Sequence, residues 1–157
     1  MRKFLLAAGV VLLALLATGS VSFLYLSYRG NALDTESKAF VDSAVPAISK
    51  NWDRKELLDR ATPELIRASN PDQLKAVFNR FATLGKLISY EGSKGDANIA
   101  FFSGSGTNIG ASYVAHAHFE NGDAIFRLAL VKRDDRWMIE RLNVAPDGPI
   151  QPVMTHA

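Results

Sequence analysis

The chain has 157 residues, enough for one ordinary domain, and 48% of them are hydrophobic, which excludes collagen-like, low-complexity and wholly disordered chains. It contains no cysteine, so disulfide frameworks, thiolate zinc sites, cysteine nucleophiles and a lipidated N-terminal cysteine are all excluded. The formal charge of +2 comes from Arg2 and Lys3, since basic and acidic residues balance from Arg29 onward; with no block of like charge, nucleic acid is not an expected partner.

Phe4 through Tyr28 carry no charge. As a helix rising about 1.5 Å per residue this run reaches roughly 37 Å, enough to cross a bilayer core with some tilt. A cleavable signal has a shorter apolar stretch ending in small residues. Ala17-Thr18-Gly19 has small residues at suitable offsets, but the apolar run resumes at Phe23-Leu24-Tyr25-Leu26. Tyr25 and Tyr28 then fall where an interfacial aromatic belt belongs. Residues 1–28 therefore read as a signal-anchor or single transmembrane helix in the inner (cell) membrane, with the lipid bilayer as its partner. The weak positive bias of Arg2 and Lys3 places the N-terminus in the cytoplasm and the rest in the periplasm. Ala14, Thr18 and Ser22 recur every four residues, a spacing that lets spanning helices approach closely; a homodimer or a membrane-protein partner would use that stripe.

Residues 29–34 read as a tether and 35–145 as one α+β domain. In 35–52, Val41, Ala44, Val45, Ile48 and Trp52 form a helical apolar stripe that Pro46 should kink. Asp53 with Glu56 is a capping box for a short helix. Thr62-Pro63-Glu64 and Asn70-Pro71-Asp72-Gln73 are further helix starts. The second opens a helix with Leu74, Val77, Phe78, Phe81 and Leu84 on one face, stopped at Gly85. After Gly85 the period falls to two. The strands expected are Leu87–Tyr90, Ala97–Phe102, Ile109–Glu120, Ala124–Lys132 and Arg136–Val144, with turns at Glu91–Gly95, Ser103–Asn108, Asn121-Gly122 and Arg133–Asp135. Residues 146–157, with Pro146, Gly148, Pro149 and Pro152, read as a flexible tail. Helices followed by an antiparallel meander make an α+β plan, with the sheet wrapped around the Leu74–Leu84 helix.

This layout, with Tyr113, Phe119-Glu120-Asn121-Gly122, Leu130 and Trp137-Met138-Ile139 on its hairpin and final strand, resembles the nuclear-transport-factor-2-like superfamily, the ketosteroid isomerase-like cone. The resemblance covers about residues 35–145. It implies a curved sheet whose mouth can hold a small apolar ligand. It does not fix function, because the fold serves enzymes, transport adaptors and periplasmic domains alike. None of the acid or oxyanion residues of the isomerases has a counterpart here.

The chemical motifs are sparse. His116 and His118 share one strand face about 7 Å apart and read as solvated histidines rather than half of a metal site. The Gly104–Gly110 run lacks the Lys-Ser/Thr ending of a phosphate loop and precedes a strand. Ser105 lacks the Gly-x-Ser-x-Gly spacing of a nucleophile elbow. Tyr90, Tyr113, Phe126 and Trp137 are the candidates to line a cavity in the cone. No cofactor, metal or catalytic residue is assigned. The expectation is a membrane-anchored extracytoplasmic interaction or ligand-binding module. The alternatives are an isomerase- or dehydratase-type enzyme with a buried acid, and a cleaved periplasmic small-ligand binder.

Overall fold

The computed structural model describes residues 31–102 and 106–147. The apolar segment 1–28, with Ala14, Thr18 and Ser22, and residues 148–157 of the tail lie outside them. Among the described residues no helix is long and apolar enough to cross a membrane.

The fold is α+β. A long helix, α1, covers 31–50. Three short ones follow: α2 (Arg54–Leu58), α3 (Pro63–Ala68) and α4 (Pro71–Ala82). Four antiparallel strands complete it: β1 (Leu87–Phe102), β2 (Gly106–Phe119), β3 (Gly122–Arg133) and β4 (Arg136–Pro146), in that spatial order. Residues 31–34, read as tether, are part of α1, and Leu33 is buried. Pro46 does not end α1; lacking an N–H, it leaves only the Asp42 carbonyl without its helical donor. The chain turns at Trp52, which holds a left-handed backbone (φ 49).

Side-chain caps start the short helices as their sequences dictate. Asp53 accepts from Lys55 N, Thr62 from Leu65 N, and Asn70 from both Asp72 N and Gln73 N. The capping box at Asp53 does not close: Glu56 pairs with Arg60 at 2.5 Å, and Asp53 N donates to Ile48 O.

The helix enclosed by the sheet is α1, not α4. Val41, Ala44, Val45 and Ile48 are all 0–1% exposed. On α4 only Phe78 is buried, and Val77 is 45% exposed. The small and β-branched stripe of α1 lets its backbone lie close over the sheet, whereas the bulky face of α4 stands off at one margin. The inward residues of β2 and β3 supply the other half of the core: Ala111, Tyr113, Ala115, Ala117 and Phe119, with Ala124, Phe126, Leu128 and Leu130.

Four strand boundaries differ from the sequence reading, the first being that β2 begins at Gly106, within the loop expected over Ser103–Asn108. Leu87–Phe102 is one strand rather than two. Glu91-Gly92 forms a bulge, where Tyr90 pairs with Ala117 and Ser93 with Ala115, and Gly92 (φ 87) absorbs the extra residue. The hairpin between β2 and β3 turns on Glu120 and Asn121, closed by the Phe119–Gly122 pair. Gly122 carries the positive φ (145) and Asn121 does not. At the far end, Ala145 and Pro146 pair with β3, and Asp147 N donates to Asp123 O, so the sheet reaches past the expected end of the domain. The Arg133–Asp135 turn is as expected, with Asp134 and Asp135 at φ 49 and 61 between the paired Arg133 and Arg136, the signature of a type I′ hairpin.

Candidate functional site

The inner face of the sheet is filled. Trp52 lies at its centre, stacked on Phe119 (5.2 Å between centroids) and Phe126 (6.0 Å), against Phe81 (5.1 Å) and edge-on to Phe78 (6.4 Å). Of the four cavity candidates, Phe126, Tyr113 and Trp137 are buried as packing. Tyr113 Oη pairs with Ser37 Oγ at 2.8 Å and donates to Asp34 O at 3.2 Å. Trp137 carries Lys132 Nζ over its ring at 5.9 Å. Tyr90 is half-buried and donates to Asp42 Oδ1 at 2.7 Å. The buried polar side chains are Ser37, Ser49, Thr62 and Ser93; no Asp, Glu or His is buried among the described residues.

Two aspartates of α1 clamp the free edge of β1, a device the sequence reading missed. Ser93 N donates to Asp42 Oδ1 (2.9 Å) and Ala97 N to Asp34 Oδ1 (2.6 Å). Eight helical residues rise about 12 Å and four strand residues about 13 Å, so carboxylates at this spacing meet alternate outward amides of an edge strand. The clamp covers an edge that would otherwise template aggregation. Asp42 also accepts from Ser93 Oγ and Lys38. Burial works against its charge, but these hydrogen bonds outweigh it and hold its pKa below the ordinary value. Burial, and then the bond to Asp42, push the Tyr90 phenol well above its ordinary range.

On the outer face the bulge brings Glu91 to His118. The two ring nitrogens of His118 lie 2.7 Å from Glu91 Oε1 and 2.7 Å from Asp123 Oδ1. Both can donate only in the imidazolium form. The bonds to Glu91, then Asp123, raise the His118 pKa, and the bond from His118 lowers that of Glu91. His116 Nδ1 stands 3.2 Å from Asp147 Oδ2. The partners of His118 are not local in sequence: Glu91 lies 27 residues before it on β1, and Asp123 lies across the hairpin at the start of β3. The cluster is a set of cross-strand ion pairs rather than a metal centre. His118 spends its nitrogens on opposite sides, and among the described residues no three ligating groups converge.

A groove opens along one margin, where α4 stands off from the end of β4. Val77, Arg80, Phe81, Thr83 and Leu84 face Asn143 to Pro146 across about 450 Å³. It continues past Val77 and Phe81 into a second hollow of about 250 Å³ that reaches Leu57, Leu65 and Leu74. Arg80 is the one charged side chain in the lining of either hollow. The sequence placed Val77 and Leu84 on an apolar face, but nothing local indicates that this face is left partly uncovered.

No family model, curated protein or solved structure matches the chain. Function is therefore argued from this geometry.

Proposed function

We propose that the protein is a non-catalytic binding module, held by residues 1–28 in the inner membrane and presenting the groove between α4 and β4 to a partner in the periplasm. The observation that carries this reading is the filled interior. With Trp52 and four phenylalanines packed together at the sheet's inner face, recognition falls to the margin, where apolar side chains of α4 and β4 face each other across an open channel. Such a channel suits an apolar protein segment, with backbone groups of an edge strand beside it. The uncharged run from Phe4 to Tyr28 supports the anchor, and its closeness to α1 keeps the module near the membrane. The plan of helices followed by a four-stranded antiparallel sheet supports a reading as a nuclear-transport-factor-2-like cone. The groove's volume of about 450 Å³ also lies in the range of small-ligand sites, which favours a small apolar ligand as the second reading.

The test uses a photo-crosslinking residue at Val77 or Leu84 in the full-length chain, with a control at Arg127 on the outer face. A discrete protein adduct from the two groove positions, absent from the control and retained with membranes after alkaline carbonate washing, is the expected result. Release of the intact chain by carbonate would refute the anchor. Adducts of equal yield at all three positions would refute the groove.

A further inference from the structure

We propose that the partner segment enters the groove as an added strand: an extended peptide, apolar at alternate positions and carrying one acidic side chain, pairs with the outer edge of β4 from Leu142 to Pro146 and sets its carboxylate against Arg80. This inference rests on the groove as the partner site and names how the partner is held. β4 is an outermost strand. Near its start the outer edge is taken, where Thr62 N donates to Ile139 O (2.9 Å) and Ile139 N to Arg60 O (2.8 Å). Between Ile139 and Arg141 β4 then carries one extra residue against the single step from Leu130 to Ala129 on β3. At the far end Asp147 N donates to Asp123 O at 2.9 Å. Backbone groups alternate sides along an antiparallel strand. Residues 147, 145 and 143 therefore turn theirs to β3, and Leu142, Val144 and Pro146 turn theirs outward. A proline in the outward set loses no ladder bond. The outward amides of Leu142 and Val144, and the carbonyls beside them, have no partner among the described residues. The opposite edge of the sheet is treated differently, with Asp34 and Asp42 occupying amides of β1. An unpaired edge beside an apolar face is a template for one more strand.

The groove selects the chemistry of that strand. An added segment facing Leu142–Pro146 spans about 17 Å and turns alternate side chains toward α4. Residues on α4 step by about 100°, which orders its groove face Phe78, Phe81, Val77, Leu84, Arg80 from core to rim. Burial follows that order, with Phe78 5% and Val77 45% exposed. Apolar side chains of the added strand meet Phe81, Val77 and Leu84, and a side chain at the rim meets Arg80. Arg80 is the one charged residue lining either hollow. Among the described residues no carboxylate pairs with it, and an acidic side chain supplies the charge-assisted partner it lacks. The backbone groups in the wall decide between occupants. A hydrocarbon chain would strip water from them and return no hydrogen bonds, whereas a peptide backbone satisfies them.

The test selects short random peptides displayed on phage against the full-length protein in lipid nanodiscs, then measures synthetic copies of enriched sequences by fluorescence polarisation. The enriched peptides should hold apolar residues at alternate positions and one Asp or Glu. Methylating alternate backbone amides of such a peptide should weaken binding on the order of tenfold, and methylating the amides between them should change nothing. Arg80→Gln should weaken it by about tenfold or more, after which replacing the peptide's acid with its amide should cost nothing further. The methylated peptides leave the protein itself unaltered, and Arg80 is exposed, so neither arm turns on folding. Failure to enrich any peptide, a methylation scan without alternation, or equal affinity for the Arg80→Gln protein would each overturn the proposal. A peptide excluded by Val77→Trp yet indifferent to methylation and to Arg80→Gln would overturn it while leaving the groove as the partner site.

Discussion

Replacing Trp52 with alanine tests the filled interior most directly. The side chain is 7% exposed and touches four phenylalanine rings contributed by α4, β2 and β3. Truncating a buried Trp to Ala costs about 3–5 kcal/mol, the lost transfer energy plus the cavity left behind. The upper half of that range is expected, because rings held by three elements cannot collapse inward together. At roughly 4 °C per kcal/mol for a domain of this size, the melting midpoint should fall by about 16–20 °C. Trp52→Gly should be no worse than Trp52→Ala, against the usual order. At φ 49 a Cβ costs about 1–2 kcal/mol, which glycine avoids. The alanine variant should also bind benzene, as dry apolar cavities on the order of 150 Å³ do. Thermal unfolding of the full-length protein in detergent, with and without benzene, reads all three effects. A loss below about 1 kcal/mol, with no benzene-induced rise, would mean that the aromatic cluster is not the core.

Three further outcomes follow from the edges and outer face of the sheet. Asp42→Ala leaves Ser93 N and the Tyr90 hydroxyl without their acceptor and should cost about 1–3 kcal/mol. Because the folded pKa of Asp42 is depressed, its stabilisation is present above the ordinary value of 3.8 and is lost as pH falls through the folded value. An acid unfolding midpoint unchanged in the variant would refute the clamp. For His118 the sign is opposite: its folded pKa is raised, so the ion pairs stabilise fully below 6.5 and fade as pH rises through the folded value. An NMR titration should place His118 above 6.5 and move it down in Glu91→Gln; a value at or below 6.5 in the parent protein would refute the network. Finally, a Cβ at Gly95 would lie 2.0 Å from Ser112 O and 2.8 Å from Tyr113 Cα. Gly95→Ala should therefore cost more than about 3 kcal/mol, because β1 must leave β2 locally. Gly92→Ala meets nothing nearer than Lys38 Nζ at 4.0 Å and should cost only the about 1–2 kcal/mol of its positive φ. Equal melting points for the two would contradict the register of β1 on β2.

The sequence by itself determined what is written in short-range chemistry. Thr62-Pro63 and Asn70-Pro71 start helices because their side chains reach amides two or three residues ahead. The two faces of β2, and the Val41–Ile48 stripe of α1, follow from periodicity alone. The charged turn at Asp134-Asp135 does as well. Tertiary structure decided everything that depends on which elements meet. Glu91-Gly92 reads as a turn until the outward amide of Ser93 finds Asp42, fifty-one residues away in sequence, and the strand then runs through it as a bulge. The α4 stripe reads as the buried centre until α1, with smaller side chains, takes that place and leaves Val77 at a groove. The aromatic candidates read from the pattern as packed core more readily than as a cavity wall. The pattern does not indicate the cluster around Trp52: a left-handed turn after α1 places its indole among rings from α4, β2 and β3, and no local pattern specifies where such a turn aims a side chain.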